Sequence, residues 1–212
     1  MEKNPVIIFG ANGIGKIALE IFKNNGMEVY CFLDDNKKLH QTSIGDVSIL
    51  GSTDDDGFLK YIGKKCDAFV ATDDNKLREN IINTVIEKRK VMPVNAIHSN
   101  AYISPDASIG YGNLIHTGAI INTGCEIKNN CIVNAGVILD YDVKIEDQVQ
   151  IGSGSTIGAG VEIANSAFIG TGVTIVAGVK IGKKARIGAG SVVIGDIKSG
   201  ETVFGNPAQV VK

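Results

Sequence analysis

ISPDASIGYGNLIHTGAIINTGCEIKNN (103–130) carries an aliphatic side chain at every sixth residue: Ile103, Ile109, Ile115, Ile121 and Ile127. The register runs on without insertion through Val133, Leu139, Ile145, Ile151, Ile157, Ile163, Ile169, Ile175, Ile181, Ile187 and Val193. A period of six fits neither the 3.6-residue turn of an amphipathic helix nor the alternation of a half-buried strand. It fits a left-handed parallel β-helix, in which three hexapeptides form the sides of one triangular coil and coils stack about 4.8 Å apart. The aliphatic residue fills the prism. A short side chain two residues earlier (Ala107, Ala119, Cys125, Val137, Val149, Ser155, Ala167) sits beside it at the corner. The Gly, Asn and Asp that follow are turn residues that tolerate left-handed backbone. Cys125 and Cys131 take the short inward position of adjacent hexads, which makes them core thiols rather than a metal pair.

The stretch before this repeat has a different grammar. Of the 26 glycines, eight fall before residue 101 and eighteen after it. VIIFG (6–10), EVYCFLD (28–34) and CDAFVAT (66–72) read as strands, while ANGIGKIALEIFKNNG and NKLRENIINTVIEKRK (75–90) read as helices. Residues 40–63 read as loop with a short helix, and VMPVNAIHSN (91–100) as an exit strand and linker. The expectation is an α/β plus all-β chain: a small Rossmann-like parallel α/β domain over 1–95, then a left-handed β-helix over 96–212.

Composition limits the functions available. Lys plus Arg total 21 against 23 Asp plus Glu, a formal net charge of -2, which gives no electrostatic case for nucleic acid. No apolar run approaches the roughly 18 residues of a membrane span, and MEKNPVIIFG lacks a signal-peptide pattern. Four cysteines without a C-x-x-C pair read as reduced thiols of a cytoplasmic protein.

Three strand ends collect candidate ligand groups. Gly10-Ala11-Asn12-Gly13-Ile14-Gly15-Lys16 fails as a dinucleotide fingerprint, because Asn12 replaces the glycine that admits a pyrophosphate. It fails as a Mg²⁺-binding P-loop, because Ile17 replaces the Ser or Thr. As a glycine turn with free N–H groups at a helix start, it suits a diphosphate. A plain tight turn is the other reading. Asp34 and Asp35 end the second strand, and Asp73, Asp74 and Asn75 the third. Open parallel sheets bind ligands at these ends, although part of this acidity caps the following helix.

VIIFGANGIGK, CFLDDN, ATDDNKLR, NAIHSNAYISP and the coils closing in FGNPA, in that order over nearly the whole chain, resemble the sialic-acid and bacillosamine-type nucleotide-sugar acetyltransferases. The resemblance implies a homotrimer that uses acetyl-CoA as co-substrate, with no metal. The N-terminal domain would hold a nucleotide-sugar, UDP-linked for preference, through Gly10, Asn12, Gly13, Gly15, Asp34, Asp35, Asp74 and Asn75. Gln150, Gly158, Ala159, Ala177, Gly205, Asn206 and Pro207 would lie along the acyl-CoA. Outward apolar residues such as Ile120, Ile138 and Phe168 would meet neighbouring copies.

The resemblance breaks at the chemistry. Members carry a His followed by an acid as general base, and a second His near the thioester. The hexad alignment puts Tyr141-Asp142 and Gln150 at these places. The chain's three histidines are His40, His98 and His116; only His98 and His116, 18 residues apart, would stack on one corner of the prism, and two imidazoles are too few for the three-His zinc site of β-helical carbonic anhydrases. A positioned base is worth about 10²–10⁴ in rate. A sugar hydroxyl depends on it more than a neutral amine does, so its loss counts against O-transfer more than N-transfer. Asp142 and Asp140 are the candidate proton acceptors, with Tyr141 as hydrogen-bonding partner and Gly152 or Gly158 N–H as oxyanion donor. The alternatives are a sialic-acid-type O-acetyltransferase and a member that binds without catalysing.

Overall fold

The computed structural model describes residues 4–211, and the chain divides into two compact units at Ser99/Asn100. The boundary falls four residues beyond the 95/96 read from the sequence, with Ala96–Ile97 on the first unit's side of it. There Asn25 Nδ2 donates to Ile97 O at 2.7 Å, and Asn24 Nδ2 lies 3.5 Å from His98 Nε2.

The first unit contains β1 (Val6–Phe9), α1 (Gly13–Asn24), β2 (Val29–Leu33), β3 (Ser43–Ile44), β4 (Val47–Gly51), α2 (Asp56–Leu59), β5 (Asp67–Val70) and α3 (Asn75–Arg89). The sheet order is β3-β4-β2-β1-β5, parallel except for the β3/β4 hairpin. Ile7, Phe9, Cys31, Leu33 and Val70 pack against Leu59, Ile62, Ile81 and Val85 in one core cluster. Ala18, Ile21 and Phe22 of α1 are also fully buried, with Phe22 edge-on to Phe69. The pairing of β1 with β2 skips Tyr30, a bulge that leaves this ring 45% exposed.

The β3/β4 hairpin lies inside the stretch expected to be loop and helix. Its signal is the two-residue Gly45-Asp46 turn, with Gly45 at φ +60, between Ile44 and Val47. Val47 and Ile49 then point inward while Ser48 and Leu50 point out, an alternation too short to stand out alone.

The second unit is a parallel β-helix with an 18-residue coil, as in Ile120↔Ile138 and Ile121↔Leu139. Face one stacks the strands from Tyr102–Ile103 to Val192–Val193, face two those from Ser108–Ile109 to Lys180–Ile181, and face three those from Leu114–Ile115 to Arg186–Ile187. Face three continues into Thr202–Phe204, which pairs with Gln209–Val210. The inward aliphatics from Ile115 to Val193 are at most 1% exposed, as are their corner neighbours Ala119, Cys125, Val137, Val149 and Ala167. Ser155 also lies in this column, where its Oγ sits 2.8 Å from Gly152 O and 2.9 Å from Gly170 O. Every sixth residue from Gly112 to Gly190 has φ between +58 and +75, and five of them are not glycine: Asn130, Asp142, Gln148, Ser166 and Lys184. The turn that follows each aliphatic residue is thus the same throughout. Left-handed backbone, costly for most side chains, is the cost of closing each corner.

The faces differ outside. Face one presents Tyr102, Ile120 and Ile138 to solvent, while face two alternates Glu126, Lys144, Glu162 and Lys180 in register. Phe168 is on face three, so the three apolar residues grouped in the sequence do not share a surface.

All four cysteines are reduced and buried. Burial, with Cys66 nearby, pushes the Cys31 thiol up to about 12, and burial also raises Cys66 and Cys125. Since only the thiolate attacks, none of the four is expected to react with an aromatic disulfide at pH 8 within minutes. All four should react in guanidinium. One fast native equivalent would contradict this packing.

Candidate functional site

Corner one, between faces one and two, follows Leu139. Asp140 Oδ1 accepts the Tyr141 N–H at 2.9 Å, and Tyr141 O accepts the Gly160 N–H at 2.9 Å. These bonds fix the backbone while the Tyr141 ring stays 53% exposed. Asp142 is left-handed at φ +58, and its N–H donates to Thr123 O at 3.0 Å. Its carboxylate folds over Gly124, where any Cβ would overlap it, and takes no donor among the described residues. Below it, Ser104 and Thr123 hydroxyls both donate to Asp106 and hold that carboxyl below its ordinary range. Asp106 is a carboxylate that the sequence reading missed, and those two bonds make it a poor proton acceptor. Asp142 is the open one.

The oxyanion donor expected at Gly152 or Gly158 is not available there. Gly152 N–H donates to Ile169 O at 2.8 Å and Gly158 N–H to Ile175 O at 2.9 Å, both in the coil-to-coil ladder. The open amides are one residue on: Ala159 and Ala177 have no acceptor for their N–H among the described residues. Ala159 stands one 18-residue coil above Tyr141, and Ala177 one coil above Ala159. A hydroxyl, a free carboxylate and two unengaged donors thus share one corner.

Gln150 is elsewhere. It lies on face three, opposite corner one, and is 9% exposed. Gly205, Asn206 and Pro207 close the end of that face; Gly205 N–H donates to Ser191 Oγ at 3.1 Å, and the Asn206–Pro207 peptide is cis. One copy of the chain therefore does not bring Tyr141 and Gln150 together. A groove of about 490 Å³ on face two, lined by Lys144, Glu162, Lys180 and Lys198, contains none of the residues singled out from the sequence.

In the first unit the adjacent β2, β1 and β5 end at one edge, which brings the three acidic and glycine turns together. Most of their polar atoms are engaged. Asn12 Oδ1 caps α1 by accepting from Ile14 N at 3.0 Å and Gly15 N at 3.2 Å, so the helix start is not the row of free donors that was expected. Gly13 N–H is left open there. Asp34 accepts from Ala11 N at 2.8 Å and Asn36 N at 2.9 Å, tying the end of β2 to the turn after β1. Asp35 accepts from Thr53 N at 2.8 Å and Thr53 Oγ1 at 2.9 Å. Asp74 Oδ1 caps α3 through Leu77 N at 2.9 Å. Asn75 Oδ1 accepts from Arg78, whose Nη1 also donates to Thr72 O at 2.6 Å. Arg78 is 1% exposed. The sequence reading passed over it, although it falls on the apolar stripe of α3 with Ile81, Ile82 and Val85, where an arginine is out of place.

Residues 5–85 match the family described as the PglD N-terminal domain, and residues 142–177 and 165–195 match the hexapeptide repeat of succinyl-transferase. A histidine-to-asparagine variant of perosamine N-acetyltransferase from Caulobacter crescentus, solved with CoA and GDP-perosamine, is similar in structure. It has 28% identity and a TM-score of 0.89, over 98% of this chain and 97% of that one. The acetyltransferase domain of PglB from Neisseria gonorrhoeae has 29% identity and a TM-score of 0.90, over 99% of this chain and 100% of that one. WeeI from Acinetobacter baumannii has 25% identity and a TM-score of 0.85, over 98% and 99%. An uncharacterized protein, L142, of Acanthamoeba polyphaga mimivirus is 37% identical over 108 residues, spanning 51% of this chain but 20% of that protein. Among the described residues no cluster of His, Cys, Asp and Glu could hold a metal ion, and no helix is long and apolar enough to cross a membrane.

Proposed function

We propose that this chain, which belongs to the left-handed β-helix nucleotide-sugar acetyltransferases, moves an acetyl group from acetyl-CoA to the amine of a nucleotide-linked amino-deoxysugar in surface-glycan biosynthesis. The observation that carries this reading is corner one, where the open Asp142 carboxylate and the exposed Tyr141 stand one coil below the unengaged Ala159 N–H. The neutral amine attacks the thioester carbonyl carbon, and the oxyanion that forms takes the Ala159 N–H. The C–S bond then breaks, and the proton lost from nitrogen passes by way of Asp142 or water to the departing sulfur, so CoA leaves as its thiol. Binding both substrates in register removes much of the entropic part of the barrier.

The site needs two copies of the chain. Corner one and face three lie on opposite sides of one prism, so Tyr141 of one copy would meet the Gln150 face of another. Apolar face one supplies a surface for that assembly, and a homotrimer satisfies it. The strand ends of the first unit take the nucleotide, with Gly13 N–H open to a phosphate and Asp35 and Asn75 beside it. The relative from Caulobacter crescentus was solved with GDP-perosamine, so a GDP-linked sugar stands beside the UDP-linked one as a candidate. A cytoplasmic location goes with this reading, since acetyl-CoA is an intracellular metabolite.

The test is release of CoA from acetyl-CoA with UDP-, GDP- and dTDP-linked 4-amino-deoxysugars, with a sialic acid as hydroxyl control. Saturable release with one amino sugar is the expected result, read by a thiol reagent that the buried cysteines do not consume. Release with sialic acid alone would replace N-transfer by O-transfer. Nucleotide-sugar binding without any release would leave a binding protein.

A further inference from the structure

Among the described residues Arg78 alone combines a fixed charge with burial. It stands three residues after Asn75 and six after Thr72, behind the turn that links β5 to α3. Its Nη1 donates to Thr72 O at 2.6 Å and its Nη2 to Asn75 Oδ1. Thr72 is buried too, and its Oγ1 accepts the Asp74 N–H at 3.3 Å. Asp74 O accepts the Arg78 N–H at 2.8 Å. On the sheet side, the Ala71 N–H donates to Phe9 O at 2.7 Å, and Ala71 O lies so near Gly10 that no Cβ fits between them. The turn is thus held by the sheet on one side and by Arg78 on the other. A lysine could not hold it in the same way. The two acceptors need two diverging donors, which a guanidinium supplies in one fixed plane.

A guanidinium has donors only. The Asn75 amide atom that faces it must therefore be the oxygen, which leaves Nδ2 as the end that points away from Arg78. Asn75 is half-buried, at the edge where β2, β1 and β5 end together. We propose that Arg78 is a positioning residue for the nucleotide-sugar: it locks the Asn75 amide so that Nδ2–H, and not Oδ1, is what the ligand meets. The ligand atom read there is an acceptor, either a diphosphate oxygen or a carbonyl oxygen of the base. The inference rests on the nucleotide-sugar reading above and goes past it, because an asparagine able to turn over would serve donors and acceptors alike. It also accounts for a cation on the apolar stripe of α3. A methionine there would pack without the desolvation penalty that a buried charge carries, so what the arginine contributes is the geometry its donors hold.

Calorimetry on the full chain, Asn75→Asp and Arg78→Lys, with UDP, GDP, dTDP, their nucleosides and CoA as probes, tests it. Aspartate still accepts from Arg78, and more strongly, so Asn75→Asp keeps the turn and should melt no lower than wild type. It replaces the outward donor by a carboxylate oxygen and should weaken the preferred nucleoside diphosphate about a hundred-fold. Arg78→Lys holds one acceptor in place of two and should weaken the same ligand about ten-fold. In turnover both variants should raise the KM for nucleotide-sugar while kcat and the affinity for CoA stay as in wild type. A loss seen with the diphosphate but not the nucleoside assigns the acceptor to phosphate, and a loss seen with both assigns it to the base; either supports the proposal. If Asn75→Asp binds the diphosphate as wild type does, Nδ2 does not meet the ligand, and the proposal fails with the nucleotide-sugar reading intact. If only Arg78→Lys is without effect, something else orients Asn75 and the role of Arg78 is overturned. An equal loss for CoA in either variant would make the effect one of folding and overturn it too. If wild type binds none of the three diphosphates, the nucleotide-sugar reading falls and takes the inference with it.

Discussion

Gly15→Ala is expected to destabilise the first unit by about 2–4 kcal/mol, although alanine is the better helix former by about 1 kcal/mol. A Cβ at Gly15 would overlap the Gly10 carbonyl oxygen and come within 3.3 Å of Phe32 Cε1. That carbonyl has nowhere to go. Gly10 N–H donates to Leu33 O at 2.8 Å on one side, and on the other Gly10, at φ +106, approaches so near that a Cβ would lie 2.5 Å from Ala71 O. The helix would have to lift instead, carrying Ala18, Ile21 and Phe22 away from the sheet. Gly13 lies two residues earlier in the same helix, and a Cβ there would meet nothing within 4 Å. Gly13→Ala should therefore be neutral or stabilising by up to about 1 kcal/mol. Hydrogen exchange at the β1 amides reads this unit alone. About a hundred-fold loss of protection for Gly15→Ala and none for Gly13→Ala is the expected pair, and equal protection in the two variants would refute the close packing.

This contrast also shows what the sequence made legible. Period six fixes the faces of the prism from Ile103 to Val193, because burial in a one-dimensional stack leaves only one register for the aliphatic residues. Strand ends are legible through their acidic and glycine turns. The duty of each atom is not. Asp34 and Asp35 satisfy backbone donors that the tertiary fold brings to them, Ala11 and Thr53, and no local pattern announces such partners. The same holds at corner one, where adjacent amides differ in role. Gly158 N–H belongs to the ladder and Ala159 N–H does not, a difference of backbone direction rather than of residue type. Phe168 and Arg186 are 18 residues apart, one coil, and the guanidinium stands 4.7 Å from the ring centroid. The 18-residue coil was legible, and following it upward from Gln150 would have found the pair.

Asp142→Asn is expected to lower kcat about a hundred-fold with little change in stability. Asparagine suits the left-handed conformation at φ +58 at least as well as aspartate, so the variant removes a charge and leaves the corner's shape. Tyr141→Phe removes only the hydroxyl from an exposed ring and should cost less, about ten-fold. The more telling variant runs the other way. The resemblance implies an imidazole where Tyr141 stands, followed by an acid, and Asp142 is already in place. Tyr141→His should therefore raise kcat by about 10²-fold or more. It should also add to the kcat profile an inflection near the ordinary histidine pKa of about 6.5, with the rate falling below it as the base protonates. An accepting amine must still be neutral, so the wild-type rate should climb with pH until the amine is deprotonated. If Asp142→Asn and Tyr141→Phe both turn over as wild type, corner one is not where the acetyl group moves. If the substitutions cost activity but histidine adds none, the corner is the site, and its proton leaves through Asp142 by a route that an imidazole at residue 141 does not improve.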